Sequence, residues 1–288
     1  MAIQVPGPID TVAGGFVFTE DPRWRGDRLV FVDMQNHRVH SVTPDGAVAE
    51  LAMLGDTPSG LGFMPNGDLL IVAMNEEKIY RLGPSGLSVH ADVSALAGSG
   101  INDMAVDAEG RAYVVQFGFD YAKGAAFRAS PLIVVEPDGT IGIAAPDLAV
   151  ANGIVISGDG KTLIVAESAG RRISAFDIGE GGVLSGRRVF AELPEGHYPD
   201  GICLDSAGGV WASVIQQGIV RVEEGGRITH KVTLPAGRNA YACMLGGPER
   251  RDLYICTAET HEHDPAAALR NAAIDRIRGV GFTGTGLP

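Results

Sequence analysis

Short apolar runs alternate with polar, glycine-rich punctuation along the whole chain, and the alternation repeats. In the stretch Tyr198-Pro-Asp-Gly-Ile-Cys-Leu-Asp-Ser-Ala-Gly-Gly-Val-Trp211, the pair Asp200-Gly201 precedes an apolar run from Ile202 to Leu204. A turn from Asp205 to Gly209 follows, then a second apolar run from Val210 to Val214. Two strands around a tight turn account for this pattern.

Five further units line up with it. Thr19-Glu-Asp-Pro-Arg-Trp24 leads through Gly26-Asp27 to Arg28-Leu-Val-Phe-Val-Asp-Met34, and Pro58-Ser-Gly-Leu-Gly-Phe63 through Asn66-Gly67 to Asp68-Leu-Leu-Ile-Val-Ala-Met74. Ile101-Asn-Asp-Met-Ala-Val-Asp107, Ala151-Asn-Gly-Ile-Val-Ile-Ser157 and Asn239-Ala-Tyr-Ala-Cys-Met-Leu-Gly246 open the others. The lead residues are Glu20, Ser59, Asn102, Asn152, Asp200 and Tyr241, spaced 39, 43, 50, 48 and 41 residues apart. Between the units lie more strand and hairpin signals, such as Arg38-Val-His-Ser-Val42 before Thr43-Pro-Asp-Gly46 and Leu132-Ile-Val-Val135 before Glu136-Pro-Asp-Gly139.

Each repeat therefore holds about four short strands, and a period of roughly 40–50 residues is that of propeller blades. The expected fold is all-β: a six-bladed β-propeller with four-stranded antiparallel blades, filling residues 1–288 as a single domain. The terminal segments Gln4 to Ala13 and Arg278 to Gly284 are expected to pair within one shared blade, because an open ring would expose sheet edges. The Ala-rich run Pro265 to Ala273 is the one candidate helix, placed in the final blade.

Composition narrows the function classes. Apolar residues make up 45% of the chain and charged residues 20%, enough for a core and too few charges for disorder. The formal charge of −12 repels phosphate backbones and anionic membranes, so neither nucleic acid nor membrane is an expected partner. The N-terminus lacks the basic and apolar regions of a signal peptide, and no apolar run reaches membrane-spanning length. Three cysteines, Cys203, Cys243 and Cys256, lie in apolar runs without CxxC spacing, so buried thiols in a cytoplasmic protein are expected. No obligate protein partner is evident.

In a propeller the innermost strand of each blade lines the central channel. If the first apolar run of each unit is that strand, all six lead residues arrive at one end of the channel as a ring of Glu, Ser, Asn, Asn, Asp and Tyr. Carboxylates converging in a low-dielectric channel raise each other's pKa or recruit a cation. An all-oxygen set favours one hard divalent cation, Ca²⁺ foremost, with Mg²⁺, Mn²⁺ and Zn²⁺ open. Glu20 and Asp200 would neutralise its charge, and the Asn152 amide oxygen would be a neutral third ligand. Ser59 and Tyr241 are expected to line the channel and, with Asn102 and Phe119, to contact substrate. The competing reading is plain turn chemistry, since Ser-Gly, Asn-Gly and Asp-Gly pairs are common hairpin signals. His197 and the group His261-Glu-His-Asp264 are read as loop residues, and no Gly-x-Ser-x-Gly elbow is present.

These residues carry a resemblance. Glu20-Asp-Pro-Arg-Trp24, Asn102-Asp103, Asn152-Gly-Ile-Val-Ile-Ser-Gly-Asp-Gly160, Pro199-Asp-Gly-Ile-Cys-Leu-Asp205 and Ala242-Cys-Met-Leu-Gly-Gly-Pro248 resemble the gluconolactonase/regucalcin (senescence marker protein) family of six-bladed propellers. The resemblance implies a metal-dependent lactonase. It implies Glu20, Asn152 and Asp200 as metal ligands, Asn102 as a substrate contact beside the metal, and Asp200 as general base. Two departures stand out. Gly100 occupies a position where many sugar-lactone members carry arginine, and the glutamate that binds sugar hydroxyls has no match near Gln116-Phe-Gly-Phe-Asp120. The groups that would hold an aldonolactone are thus missing, and Phe117, Phe119 and Tyr121 suggest a more apolar substrate pocket. The expected reaction is opening of a small lactone or ester. Alternatives are phosphotriester hydrolysis on the same metal site, a non-catalytic metal- or ligand-binding propeller, and a metal-free condensing enzyme like strictosidine synthase.

Overall fold

In a computed structural model, whose described residues are 2–120 and 123–287, every repeat becomes one antiparallel sheet. The inner strands are Thr19–Arg25, Pro58–Phe63, Ile101–Val106, Ala151–Ile156, Pro199–Asp205 and Asn239–Gly246. They touch one another in sequence, the last packing on the first, so the ring closes. Inner and second strands are almost wholly buried, whereas outer strands such as Val48–Met53 are mostly exposed. That gradient follows from the architecture: side chains of inner strands pack against neighbouring blades, and outer edges face water. This is the expected six-bladed propeller of four-stranded blades.

Closure differs from expectation. The sixth blade supplies Asn239–Gly246, Asp252–Ala258 and Ala272–Ile277, and its fourth strand is the N-terminal Asp10–Phe16. Asp10 pairs with Arg276 and Phe16 with Ala272. Phe16 then packs edge-on against Phe31 of the first blade at 5.1 Å, joining the two blades. The outermost tails do not enter that blade. Ile3–Gln4 runs parallel to Ile228–Val232, and Gly284–Thr285 adds to the free edge of Pro199–Asp205, so both tails extend the fifth blade. A Cβ on Gly284 would lie 2.6 Å from Leu245 Cβ, so only glycine fits between the fifth and sixth blades there.

The helix also sits earlier than the Ala-rich run suggests. It spans His263–Leu269, and Arg270 in the left-handed region ends it. Ala272 and Ala273 instead enter the third strand of the sixth blade, whose register with Phe16 and Gly14 they serve. No helix among the described residues is long and apolar enough to cross a membrane. The three cysteines are buried free thiols.

Candidate metal centre and active site

Each inner strand breaks register near its lead residue. The irregularities fall between Glu20 and Arg23, Pro58 and Leu61, Ile101 and Met104, Ala151 and Ile154, Pro199 and Ile202, and Ala240 and Ala242. Ser59, Asn102, Asn152, Asp200 and Tyr241 lie inside these bulges, and Glu20 lies at the edge of its own. A bulge frees residues from the ladder and re-aims their side chains. The irregularity recurs at the lead position of all six blades.

The glycines beside three lead residues are not turn glycines. Gly60, Gly153 and Gly201 all lie within inner strands, outside the positive-φ region. A Cβ on Gly153 would meet the Ile202 nitrogen at 2.5 Å, and one on Gly201 would meet Ala242 Cβ at 2.5 Å. They let neighbouring inner strands approach closely. The hairpin reading of these pairs is therefore corrected: they mark contact between blades.

Glu20, Ser59, Asn102 and Asn152 line one small cavity, and Asp21, Arg23 and Asp103 also reach its wall. Its volume is about 10 Å³, room for a single occupant the size of a water molecule. Asp200 is buried next to it, and the nearby Asn152 amide favours its charged form. Burial, and then the nearby Asp103 charge, push the Asp200 pKa up to about 7. Glu20 is partly exposed at the mouth. Burial and then Asp200 raise its pKa well above the usual carboxylate range.

Ser59 is committed largely to structure: its hydroxyl donates to the Asn102 carbonyl at 2.7 Å. Tyr241 is 2% exposed and lies edge-on to Phe18 at 4.7 Å. Its hydroxyl is buried without a hydrogen-bond partner of ordinary geometry, and burial followed by Asp200 and Glu20 raises its pKa. Phe119 is not in the ring; it lines a separate cavity between blades two and three. Tyr121 lies outside the described residues. His197 bonds only within its own loop, at 3.3 Å to the Glu195 carbonyl. The His261 ring lies 6.0 Å from that of Tyr241.

Three charged residues in the inner strands were not assigned from the sequence. Arg23 pairs with Asp21 at 2.7 Å and with Asp103 at 2.6 Å. It also donates to the carbonyls of Leu61 and Met104. Asp103 in turn accepts from the Ile154 amide at 3.2 Å, and Asp21 accepts from that of Leu61. This belt ties blades one to four beneath the ring. Their signal in the sequence is charge inside otherwise apolar runs. Because Arg23 is spent on Asp21 and Asp103, it does not pair with Glu20 or Asp200.

A divalent cation fits this donor set. The Glu20 carboxylate and the Asn152 amide border a water-sized space with Asp200 buried beside it, all oxygen donors, while the Arg23 guanidinium at the same wall is neutralised by Asp21 and Asp103. Among the described residues no three His, Cys, Asp or Glu side chains converge as a metal cage, so the amide is needed to complete the set.

Residues 18–259 match the family model described as SMP-30/gluconolactonase/LRE-like region. The chain belongs to the SMP-30/gluconolactonase/LRE-like family. Within it, a curated relative is the pentonolactonase XacC of Haloferax volcanii, 26% identical over 244 residues that cover 83% of this chain and 81% of that one. A solved regucalcin from Agrobacterium tumefaciens, described as a calcium-binding protein, superposes with TM-score 0.81 at 19% identity, covering 99% of this chain and 97% of its own. A gluconolactonase from Xanthomonas campestris gives TM-score 0.76 at 23% identity, covering 96% and 91%. At these identities the two structural likenesses are ones of fold. The match of this SMP-30/gluconolactonase chain to its family model spans all six lead residues.

Proposed function

We propose that this chain is a divalent-cation-dependent lactonase, opening a small cyclic ester at the ring of lead residues. The observation that carries the reading is the convergence of Glu20, Asn102 and Asn152 on one water-sized cavity, with Asp200 beside it. The pentonolactonase relative supports the reaction class, and the relative described as a calcium-binding protein supports Ca²⁺ as the cation.

Glu20, Asn152 and Asp200 would hold the cation, which when bound supplies Lewis-acid polarisation of the lactone carbonyl. Asn102, 8% exposed at the cavity wall, orients the lactone and donates to the oxygen that gains charge. Asp200 Oδ takes the proton of the attacking water. Tyr241 and Ser59 wall the channel and limit the water that reaches the reacting carbon. Buried free thiols agree with a cytoplasmic setting.

The test is a screen of lactones, simple esters and phosphotriesters with the purified chain, stripped of divalent ions and then restored with Ca²⁺, Mg²⁺, Mn²⁺ or Zn²⁺. Lactone turnover that disappears on stripping and returns on restoration is expected. Saturable cation binding with no turnover of any of these would replace the reading with that of a binding protein.

A further inference from the structure

Resting on the lactonase reading, we infer that the substrate carries an apolar arm, alkyl or aryl, seated in the cavity between blades two and three. That cavity holds about 480 Å³, and Gly100, two residues before Asn102, is part of its lining. Its floor is the segment that delivers Asn102: Gly100 immediately precedes Ile101-Asn102, the Ile101 amide donates to the Met74 carbonyl at 3.2 Å, and Phe117 donates to the Gly100 carbonyl at 3.3 Å. An arm on a lactone at Asn102 that follows the strand back through Ile101 to Gly100 enters this space.

Met74, Phe117 and Phe119 supply the wall. Gly100 keeps it open: a Cβ there would lie 3.6 Å from Phe117 Cδ2 and 3.7 Å from Met74 Cγ, so a longer side chain would enter the space these two line. The wall is held in place. Phe119 meets Phe127 edge-on at 5.8 Å, and Arg128 Nε donates to the Gly118 carbonyl at 3.0 Å.

Several of the polar groups around the cavity have partners within the protein. Asn75 donates to Asp56 Oδ1 at 2.8 Å, Glu77 Oε1 accepts from the Gly100 amide at 3.0 Å, and Lys123 pairs with Asp120 at 2.8 Å. Hydroxyls set against Met74, Phe117 and Phe119 would lack partners on that wall, which is costly. An alkyl or aryl arm is favoured there, since each buried methylene contributes affinity.

The experiment uses the full chain reloaded with Ca²⁺. It compares γ-valerolactone, γ-octalactone and γ-decalactone with glucono-δ-lactone and a pentonolactone, in wild type, Met74→Ala and Phe119→Ala. In wild type kcat/KM should rise roughly three- to fourfold per methylene over the first carbons of the arm. The ratio of γ-decalactone to γ-valerolactone kcat/KM should fall about tenfold in either variant, mainly through KM. A flat chain-length series, or preference for the hydroxylated lactones, overturns the inference.

Calorimetric binding of the unhydrolysable γ-valerolactam and γ-decalactam separates the two claims. If no lactone is turned over but γ-decalactam binds more tightly and loses that advantage in Phe119→Ala, the cavity assignment stands and the lactonase reading fails. Equal or absent binding of both lactams overturns the cavity assignment.

Discussion

Arg23 Nη2 donates to Asp103 Oδ1 at 2.6 Å, joining the inner strand of blade one to that of blade three across 80 residues of sequence. Both side chains are almost fully buried. Removing the guanidinium leaves two aspartates, Asp21 and Asp103, buried without their partner. Arg23→Leu is therefore expected to cost about 3–5 kcal/mol of stability, the usual penalty for breaking a buried pair from one side. Urea denaturation followed by tryptophan fluorescence measures it. A loss below 1 kcal/mol would mean that the belt does not hold the blades.

Proton and cation compete at the ring. Glu20 and Asp200 have folded pKa values raised above their unfolded ones, so their contribution to stability is present below the unfolded pKa of about 4 and is lost as pH rises. For Asp200 that loss runs up to its folded pKa of about 7. A divalent cation relieves the repulsion that grows in this window. The rise in Tm on adding Ca²⁺ should be larger at pH 8 than at pH 6. Asp103→Asn, which removes a charge that raises the Asp200 pKa, should move the pH midpoint of Ca²⁺ affinity below 7. A Ca²⁺-induced shift independent of pH in both proteins would contradict this.

The closing strand carries an acid-sensitive contact. His40 is 8% exposed, lies 5.4 Å from Phe16 and 5.6 Å from Phe31, and neither ring nitrogen makes a hydrogen bond of ordinary geometry. Burial lowers its pKa. A depressed histidine contributes stability above its unfolded pKa of about 6.5 that is lost as pH falls through the folded value. Thermal melts between pH 7 and pH 5 should show a smaller loss of Tm for His40→Leu than for wild type. Parallel curves would show that His40 stays neutral or finds a partner.

Gly201→Ala tests the close approach of blades five and six. A methyl there would sit 2.5 Å from Ala242 Cβ, which overpacks a tight interface at a cost of about 1–3 kcal/mol. The strain falls directly after Asp200, so kcat/KM for the best lactone should drop along with Tm. Unchanged stability would mean that the strands separate freely and that the glycine has another role.

The ring was legible in the sequence because the lead residues recur at one phase of a repeat whose turns are written in Pro-Asp-Gly and Gly-Gly. What lay beyond reach was non-local. Asp103 finds Arg23 only after two blades have folded, so no spacing rule marks the pair. Asp-Gly and Asn-Gly signal either a hairpin or a close strand crossing, and only the packing of Gly153 on Ile202 and Gly201 on Ala242 decides between them. The tails went astray for a similar reason: the free edge that Gly284–Thr285 occupies belongs to a strand 80 residues away in the chain. Phe119 was read as a pocket residue, and its cavity is set by a carbonyl of blade two and a glycine of blade three meeting at Met74 and Gly100.

The most direct measurement is kcat/KM of Asp200→Asn for the best lactone, with Ca²⁺ binding and circular dichroism recorded on the same preparation. The variant keeps the shape of the side chain and removes both its charge and its capacity as a base. A folded protein with Ca²⁺ affinity sharply weakened and kcat/KM reduced about 10²–10⁴-fold at saturating cation is expected. A folded Asp200→Asn protein that keeps wild-type kcat/KM would contradict the assignment of Asp200 as ligand and base.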